Sequence, residues 1–514
     1  MMNIERKVAA TALALLLAAA TAGCDSFLDV NTDPNNPETV RLDLTLPGML
    51  MAFGHEILGP TDTRYSNMIG PNGWGPEWMQ QFSDNNDRHT YSQYQWFEVA
   101  NQDTDAYWNS SYADVMQEAR NIMLRSEASE QWEYYGIAEF IFAWNTALLV
   151  DAFGPIPFEE AFDIGNSNPA YDSEEHVYAR VFEMIDDAIA KMQQQGADPP
   201  TTGDVVFGGN MNGWVKLANS VKARLHMRLV YMPGENANQR AQAALTALAA
   251  GIQSPAEAPT VEYAGGEGAR QPWHNFDKDD EGDSGQRNRS NAFFINSLKA
   301  NSDPRMPILA EPAALECPDG TAYEREDCTL ATSVIYRGNV GGGPGEPDSA
   351  ISAIGRFITA DDADFVWFTY EDTKFLEAEA RLIISGAAAA DAPYRAAIRA
   401  NMTRLGVAAA DIDAYLATKP SLGGVADPLK ELMWEKYVSN FLRDEVWHDY
   451  RRTGYPEVPL PQPPAGEQLY LPEIPKRLRT PLAEMLFNSE SLAATGISTG
   501  LDGMLRPVFW SPEG

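Results

Sequence analysis

Between Gly59 and Trp96, "GPTDTRYSNMIGPNGWGPEWMQQFSDNNDRHTYSQYQW", the residues Tyr65, Trp74, Trp78, Phe82, Tyr91, Tyr94 and Trp96 are separated by Gly, Pro and Asn. Sugar recognition needs flat apolar faces against pyranose C–H surfaces and polar groups for hydroxyls, and Trp and Tyr supply both. Trp74, Trp78, Tyr94 and Trp96 are therefore expected to be exposed and to line a ligand surface, with Trp74 favoured by its setting in "NGWGPEW". The competing reading is that such rings fill gaps where loops cover a core. Trp108 stands in helical register and reads as core.

A second patch, "GARQPWHNFDKDDEGDSGQRNRSNAFF", joins the stacking group Trp273 to His274, Asn275, Gln286, Asn288 and the planar donor Arg287. Trp273 is a ligand-contact candidate; Arg287 suits either a ligand or an ion pair with the preceding acids. Within it Asp277, Asp279, Glu281 and Gly282 occupy positions 1, 3, 5 and 6 of a calcium loop. Asn288 stands where the bidentate Glu should be, so a solvated acidic loop competes with a calcium site. No other metal or cofactor is implied. The two patches form one surface only if the fold joins them. Catalytic patterns are thin: six His, with no HExxH, GxSxG or GxxxxGK(S/T).

The elements that must hold these loops are helical. "YYGIAEFIFAWNTALLVDAFG" is apolar on all sides and should end before Gly154-Pro155. "SEEHVYARVFEMIDDAIAKM" and "NGWVKLANSVKARLHMRLV" carry one apolar side each, with Lys216, Lys222 and Arg228 free to snorkel. Helices resume at "TKFLEAEARLII" and run through "PLKELMWEKYVSNFLRDEVWHDYRR". Such pairs suggest a mainly α scaffold of tetratricopeptide-like hairpins, mostly in residues 100–250 and 370–452, with loop-rich segments at 59–99 and 252–360. The Pro-rich tail from Pro456 reads as a wrap over that body. Asp151 reads as a turn acceptor, His448 as a surface or capping residue, and Arg451 and Arg452 as cations near a helix end.

The N-terminus places the chain. Arg6 and Lys7 precede an apolar run to Ala20, and small residues lead to Cys24. That is a secretory signal over residues 1–23, too short for the roughly 20 apolar residues of a spanning helix. The small residues before Cys24 suit cleavage ahead of a diacylated cysteine, although Thr21 replaces the usual Leu; an ordinary signal with an incidental cysteine is the alternative. Residues 24–45 then form a tether and entry segment. Cys317 and Cys328 close "CPDGTAYEREDC" and, in an exported chain, read as a local disulfide contributing about 2–3 kcal/mol. Net charge is −35, and −36 without Glu5, Arg6 and Lys7, which together carry +1. Such a field repels phosphates, and there is no basic aromatic stripe, so nucleic acid is excluded as a partner.

Several segments in order resemble the SusD/RagB family of outer-membrane nutrient-binding lipoproteins: "CDSFLDVNTDPNNP", "LVDAFGPIPFEEA", "GWVKLANSVKARLHMRLV", "DPRMP", "FVWFTYEDTKFLEAEARLI", "MWEKYVSNFLRDEVWHDYRRTGYPEV" and "IPKRLRTPLAEMLFN". Leu478 and Thr480 depart from the family pattern in the last. The resemblance implies a single body over residues 46–514 with four tetratricopeptide-like helix pairs, and a lipid-anchored protein at the outer membrane facing outward. It also implies a lid on a TonB-dependent SusC-like transporter, passing on oligosaccharides or, in some branches, peptides. A non-catalytic bracing subunit is the structural alternative, and a glycoside hydrolase the enzymatic one.

Overall fold

The computed structural model describes residues 41–513 apart from 63–67, 70, 85–91, 197, 267, 278–287, 317–328, 341–347 and 464–467. Cys24, Cys317, Cys328, Asp279, Glu281 and Arg287 lie outside the described residues.

Among the described residues, the helices of eight residues or more are α1 (Leu42–Ala52), α2 (Pro71–Trp78), α3 (Gln117–Ala128), α4 (Trp132–Phe153), α5 (Glu174–Met192), α6 (Met211–Arg228), α7 (Ala237–Ala249), α8 (Ala292–Ala300), α9 (Tyr370–Ser385), α10 (Ala387–Arg404), α11 (Ala409–Thr418), α12 (Pro428–Ser439) and α13 (Glu445–Thr453). The strands longer than two residues form two antiparallel pairs, β1 (Phe82–Asp84) with β2 (Asn288–Ser290) and β3 (Ala313–Glu316) with β4 (Thr329–Ile335). The fold is mainly α-helical.

The helices stack as successive neighbours: α3 on α4, α4 on α5, α6 on α7, and α9 on α10, with α7 packed on α9 across the long insertion between them. Local chemistry sets the ends. Ser173 accepts the His176 N–H at 3.3 Å to begin α5, and Thr369 and Asp372 form a reciprocal capping box at the start of α9. α4 is long and apolar enough to cross a bilayer, but 94% of its most apolar stretch is buried by neighbouring helices, as befits a core helix. It stops at Gly154, whose φ of +86° and contact with Arg477 leave no room for a side chain; a Cβ would sit 2.2 Å from Nη1.

Three differences from the sequence reading matter. A helix forms at α2 inside the segment read as loop, and the chain continuous in helical pattern from Pro428 to Arg452 breaks at Asn440–Asp444, where Leu442 has φ +63°. The reason for the break is Gln81, whose amide accepts the Leu442 N–H at 2.7 Å and donates to Tyr437 O at 2.8 Å, replacing helical bonds. Third, the tail does more than wrap. Trp510 inserts fully into the core and its indole donates to Asp151 at 2.7 Å, while Leu478 N–H donates to Ala152 O at 2.7 Å.

Candidate functional site

The ladder β1–β2 answers whether the two aromatic patches meet: Phe82 pairs with Ser290, Ser83 with Arg289 and Asp84 with Asn288. They are joined, but through buried rings. Trp273 is 1% exposed, with Phe82 and Phe276 packed edge-on at 5.7 and 5.4 Å. Trp74 and Trp78 stack at 6.2 Å, Tyr94 packs on Trp74 at 5.9 Å, and the Trp78 indole donates to Tyr94 O at 3.1 Å. Trp96 is also buried, and the tail covers its backbone through the Tyr470 N–H at 3.0 Å. The expected exposure of Trp74, Trp78, Tyr94, Trp96 and Trp273 is thus corrected: their faces are taken by other side chains, because large rings gain more from full desolvation than from half-exposure. Trp108 is core, as read from its register.

The described part of the calcium-like loop is closed on itself. The Asp277 carboxylate, on a residue 1% exposed, accepts the Asn288 N–H at 3.0 Å, so the side chain at position 1 is bonded to the backbone at position 12. Among the described residues, no group of three or more His, Cys, Asp or Glu is placed to hold a metal.

An open groove of about 390 Å³ lies beside the joined patches. One wall is a face of α8, where Phe293, Asn296, Ser297 and Ala300 recur at spacings of three and four, and the opposite wall is the extended Pro459–Leu460–Pro461–Gln462. Gln80, Asn291 and Val340 complete it. Asn291 caps α8 by accepting the Phe293 N–H at 2.8 Å, and its own N–H donates to Gln81 O at 3.1 Å, so the helix start is tied to the turn before β1. Gln80 holds φ +56° in that turn and donates through its amide to Pro459 O, bridging the two walls. A non-glycine residue in this region carries strain of about 1–3 kcal/mol, a cost that clusters at binding sites. Among the described residues, the lining holds amides, a hydroxyl, an aromatic ring and prolines, and no charged residue. The patch quoted from the sequence stopped at "NAFF"; the signal it missed was the 3-4 repeat of Phe293, Asn296, Ser297 and Ala300.

A second, deeper crevice runs into the interior with about 80 Å³ of space for solvent. Apolar walls from Trp144, Leu148, Val221 and Phe441 lead to Arg224, Arg228, Arg443, Asp151, Asp444 and Glu445. Here two expectations are corrected. Asp151 is a buried hub within α4 rather than a turn acceptor, bonded to Tyr178, Trp510 and Arg228. His448 is 1% exposed among Asp151, Asp444 and Glu445, so it is neither surface nor cap. Arg228 does not snorkel, and Arg452 is buried on Glu379 and Asp449, each at 2.7 Å. Burial, and then the neighbouring Glu445, pushes the Asp444 carboxyl up to about 7 against the opposing pull of Arg228 and Arg224. A carboxyl raised in the folded chain keeps its proton while the unfolded chain has lost it, so its contribution to stability falls as pH rises from about 4 to about 7. Compared with the parent, an Asp444→Asn chain is expected to gain stability across that window, at a slope up to about 1.4 kcal/mol per pH unit. Urea denaturation of both chains at pH 4.5, 6 and 8 checks this; a pH-independent difference would refute it.

The family model described as SusD-like, starch-binding and associating with the outer membrane matches residues 62–481. No curated protein matches the sequence. Similar solved structures include a SusD homologue from Bacteroides uniformis (21% identity, covering 91% of this chain and 99% of that one, TM-score 0.74). A chitin-binding SusD homologue from Flavobacterium johnsoniae is 20% identical, covering 90% of this chain and 98% of that one, with a TM-score of 0.71. A SusD/RagB family protein from Bacteroides thetaiotaomicron is 20% identical over 92% of this chain and 99% of that one, with a TM-score of 0.70. Stacked helix pairs, the family-model match over residues 62–481 and this shared architecture make the chain a member of the SusD-like family of non-catalytic, outer-membrane-associated nutrient-binding proteins that partner SusC-type transporters.

Proposed function

We propose that this chain captures an uncharged, hydroxyl-rich oligomer, an oligosaccharide, in the groove between α8 and Pro459–Gln462, and passes it to a TonB-dependent SusC-like barrel while a lipid on Cys24 holds it on the outer face of the membrane. The observation that carries this reading is the lining: in a chain of net charge −35, the groove has no Asp, Glu, Lys, Arg or His among the described residues. Among the described lining residues a uronate would find no cation, and a basic peptide no carboxylate. The exposed amides of Asn296 and Gln462 match hydroxyls, and Phe293 with the two prolines offers apolar faces for ring C–H groups. The family description names starch, and a similar structure is called chitin-binding, both uncharged polymers.

Calorimetry with neutral oligosaccharides, uronate oligosaccharides and peptides tests the reading. Asn296 is exposed and caps nothing, so Asn296→Ala should weaken neutral-oligosaccharide binding about fivefold, one hydrogen bond's worth, without moving the denaturation midpoint. Phe293→Ala should weaken it by more. Binding confined to charged glycans or to peptides, or indifferent to both substitutions, would sink the proposal.

A further inference from the structure

Both walls of the groove leave from one turn. Asn291, at the start of α8, is held to Gln81, and Pro459, at the start of the opposite wall, is held to Gln80. From there α8 runs about 13 Å, and Pro459–Gln462 runs about the same length as extended chain. Exposure rises in the same direction: Asn291 and Gln80 are 2% and 8% exposed, Phe293 is half-buried, and Asn296, Ala300 and Gln462 are exposed. Among the described residues the groove is therefore closed at the turn and open away from it.

The closed end is backed by packed protein. Met79, Gln81, Phe82, Ser290 and Tyr437, which flank the turn or bond to it and to β1, are each 2% exposed or less. The turn is also fixed in place. The Gln80 N–H donates to Glu77 O and the Gln81 N–H to Pro76 O, both at 2.9 Å, while the Tyr437 hydroxyl donates to Met79 O at 2.7 Å. Side chains at this end are already engaged, the Gln80 amide with Pro459 O and the Asn291 amide oxygen with the Phe293 N–H. A ligand reaching them meets a shape to fit against, and its hydrogen bonds are made further out, at Asn296 and Gln462.

We propose that the groove takes the end of a saccharide chain and rejects its interior, with Gln80 as the stop. This rests on the reading that an uncharged oligosaccharide binds between α8 and Pro459–Gln462. A chain lying along those walls has to terminate at Gln80, because an interior segment would have to continue through the buried residues behind the turn. The test is calorimetry on the purified full chain with linear and cyclic α-glucans of equal size, and with soluble α-glucan and chitin polymers before and after partial hydrolysis. Where the linear α-glucan binds, the cyclic form, which has no end, should bind at least about tenfold more weakly. For whichever polymer binds, capacity at equal mass should rise in proportion to the number of chains made by cutting. Gln80→Gly suits the φ of +56° and unhooks Pro459, so the turn is kept while the wall is freed. That variant should hold its denaturation midpoint and accept uncut polymer at the capacity of the cut sample. Equal affinity for cyclic and linear forms, or capacity per mass unchanged by cutting in the parent, overturns chain-end capture and leaves the oligosaccharide reading standing. A Gln80→Gly chain that still distinguishes cut from uncut polymer overturns the role of Gln80. Failure of the parent to bind any neutral saccharide overturns the oligosaccharide reading itself.

Discussion

Replacing Arg228 by Met is expected to destabilise the chain by about 3–5 kcal/mol, the range found when one partner of a buried ion pair is removed. The Arg228 side chain is 2% exposed and reaches Glu445 at 2.9 Å and Asp151 at 3.1 Å, both buried. Burial alone would raise the Glu445 carboxyl, yet Arg228, helped by Arg224 and Lys436, holds it well below the usual carboxylate range. Without the guanidinium two carboxylates remain in the interior with their main counter-charge gone. Met fills much of the same volume, so the loss reports charge rather than a cavity. Arg228→Lys should recover little, because a single ammonium cannot serve Asp151 and Glu445 with a planar fork. Adding Asp151→Asn and Glu445→Gln to Arg228→Met should restore part of the loss, since the stranded charges are then gone. Urea midpoints of these chains decide the matter; a loss below about 1 kcal/mol for Arg228→Met would show that the network is not held by this residue.

Trp78→Ala is expected to cost a further large amount, about 3–5 kcal/mol, as for other buried Trp truncations. Its ring meets Trp447 edge-on at 5.2 Å and Phe97 at 6.3 Å, and stacks on Trp74 at 6.2 Å. The cluster continues through Trp447, whose indole donates to Pro475 O at 2.7 Å and whose face carries the Arg451 guanidinium at 3.6 Å. Removing the ring opens a cavity whose walls belong to α2, α13 and the tail, and Gly75 already sits against Asp444 and Trp447 with no slack to close it. Denaturation and oligosaccharide affinity should be measured on the same sample. Lost stability with intact affinity at low temperature is expected; lost affinity with an unchanged midpoint would return Trp78 to the ligand surface.

Both predictions concern residues whose role could not be read locally. The motif "DEVWHDYRR" showed its acids and bases in plain order, but its partners Asp151 and Arg228 come from α4 and α6, and Trp510 arrives from 359 residues beyond Asp151. Residue type indicated that Trp74, Trp78 and Trp273 were important; it was silent on which side of each ring would be covered. The groove was half legible. The segments that flank it were singled out for their aromatics, and Phe293 falls within one of them, yet the other lining residues on α8 and at Pro459–Gln462 are mostly ordinary amides, a serine and prolines that no composition rule selects.

Taken alone, the order of amino acids determined the helical scaffold, the acidic charge and the family likeness, because periodicity, capping residues and short motifs act between near neighbours in the chain. The tertiary structure decided that the described aromatic segments are core, that the two patches meet across β1 and β2, and that a groove whose described lining is uncharged opens beside them. Exposure and lining depend on contacts such as Gln80 with Pro459, 379 residues apart, and only the packed fold brings such pairs together.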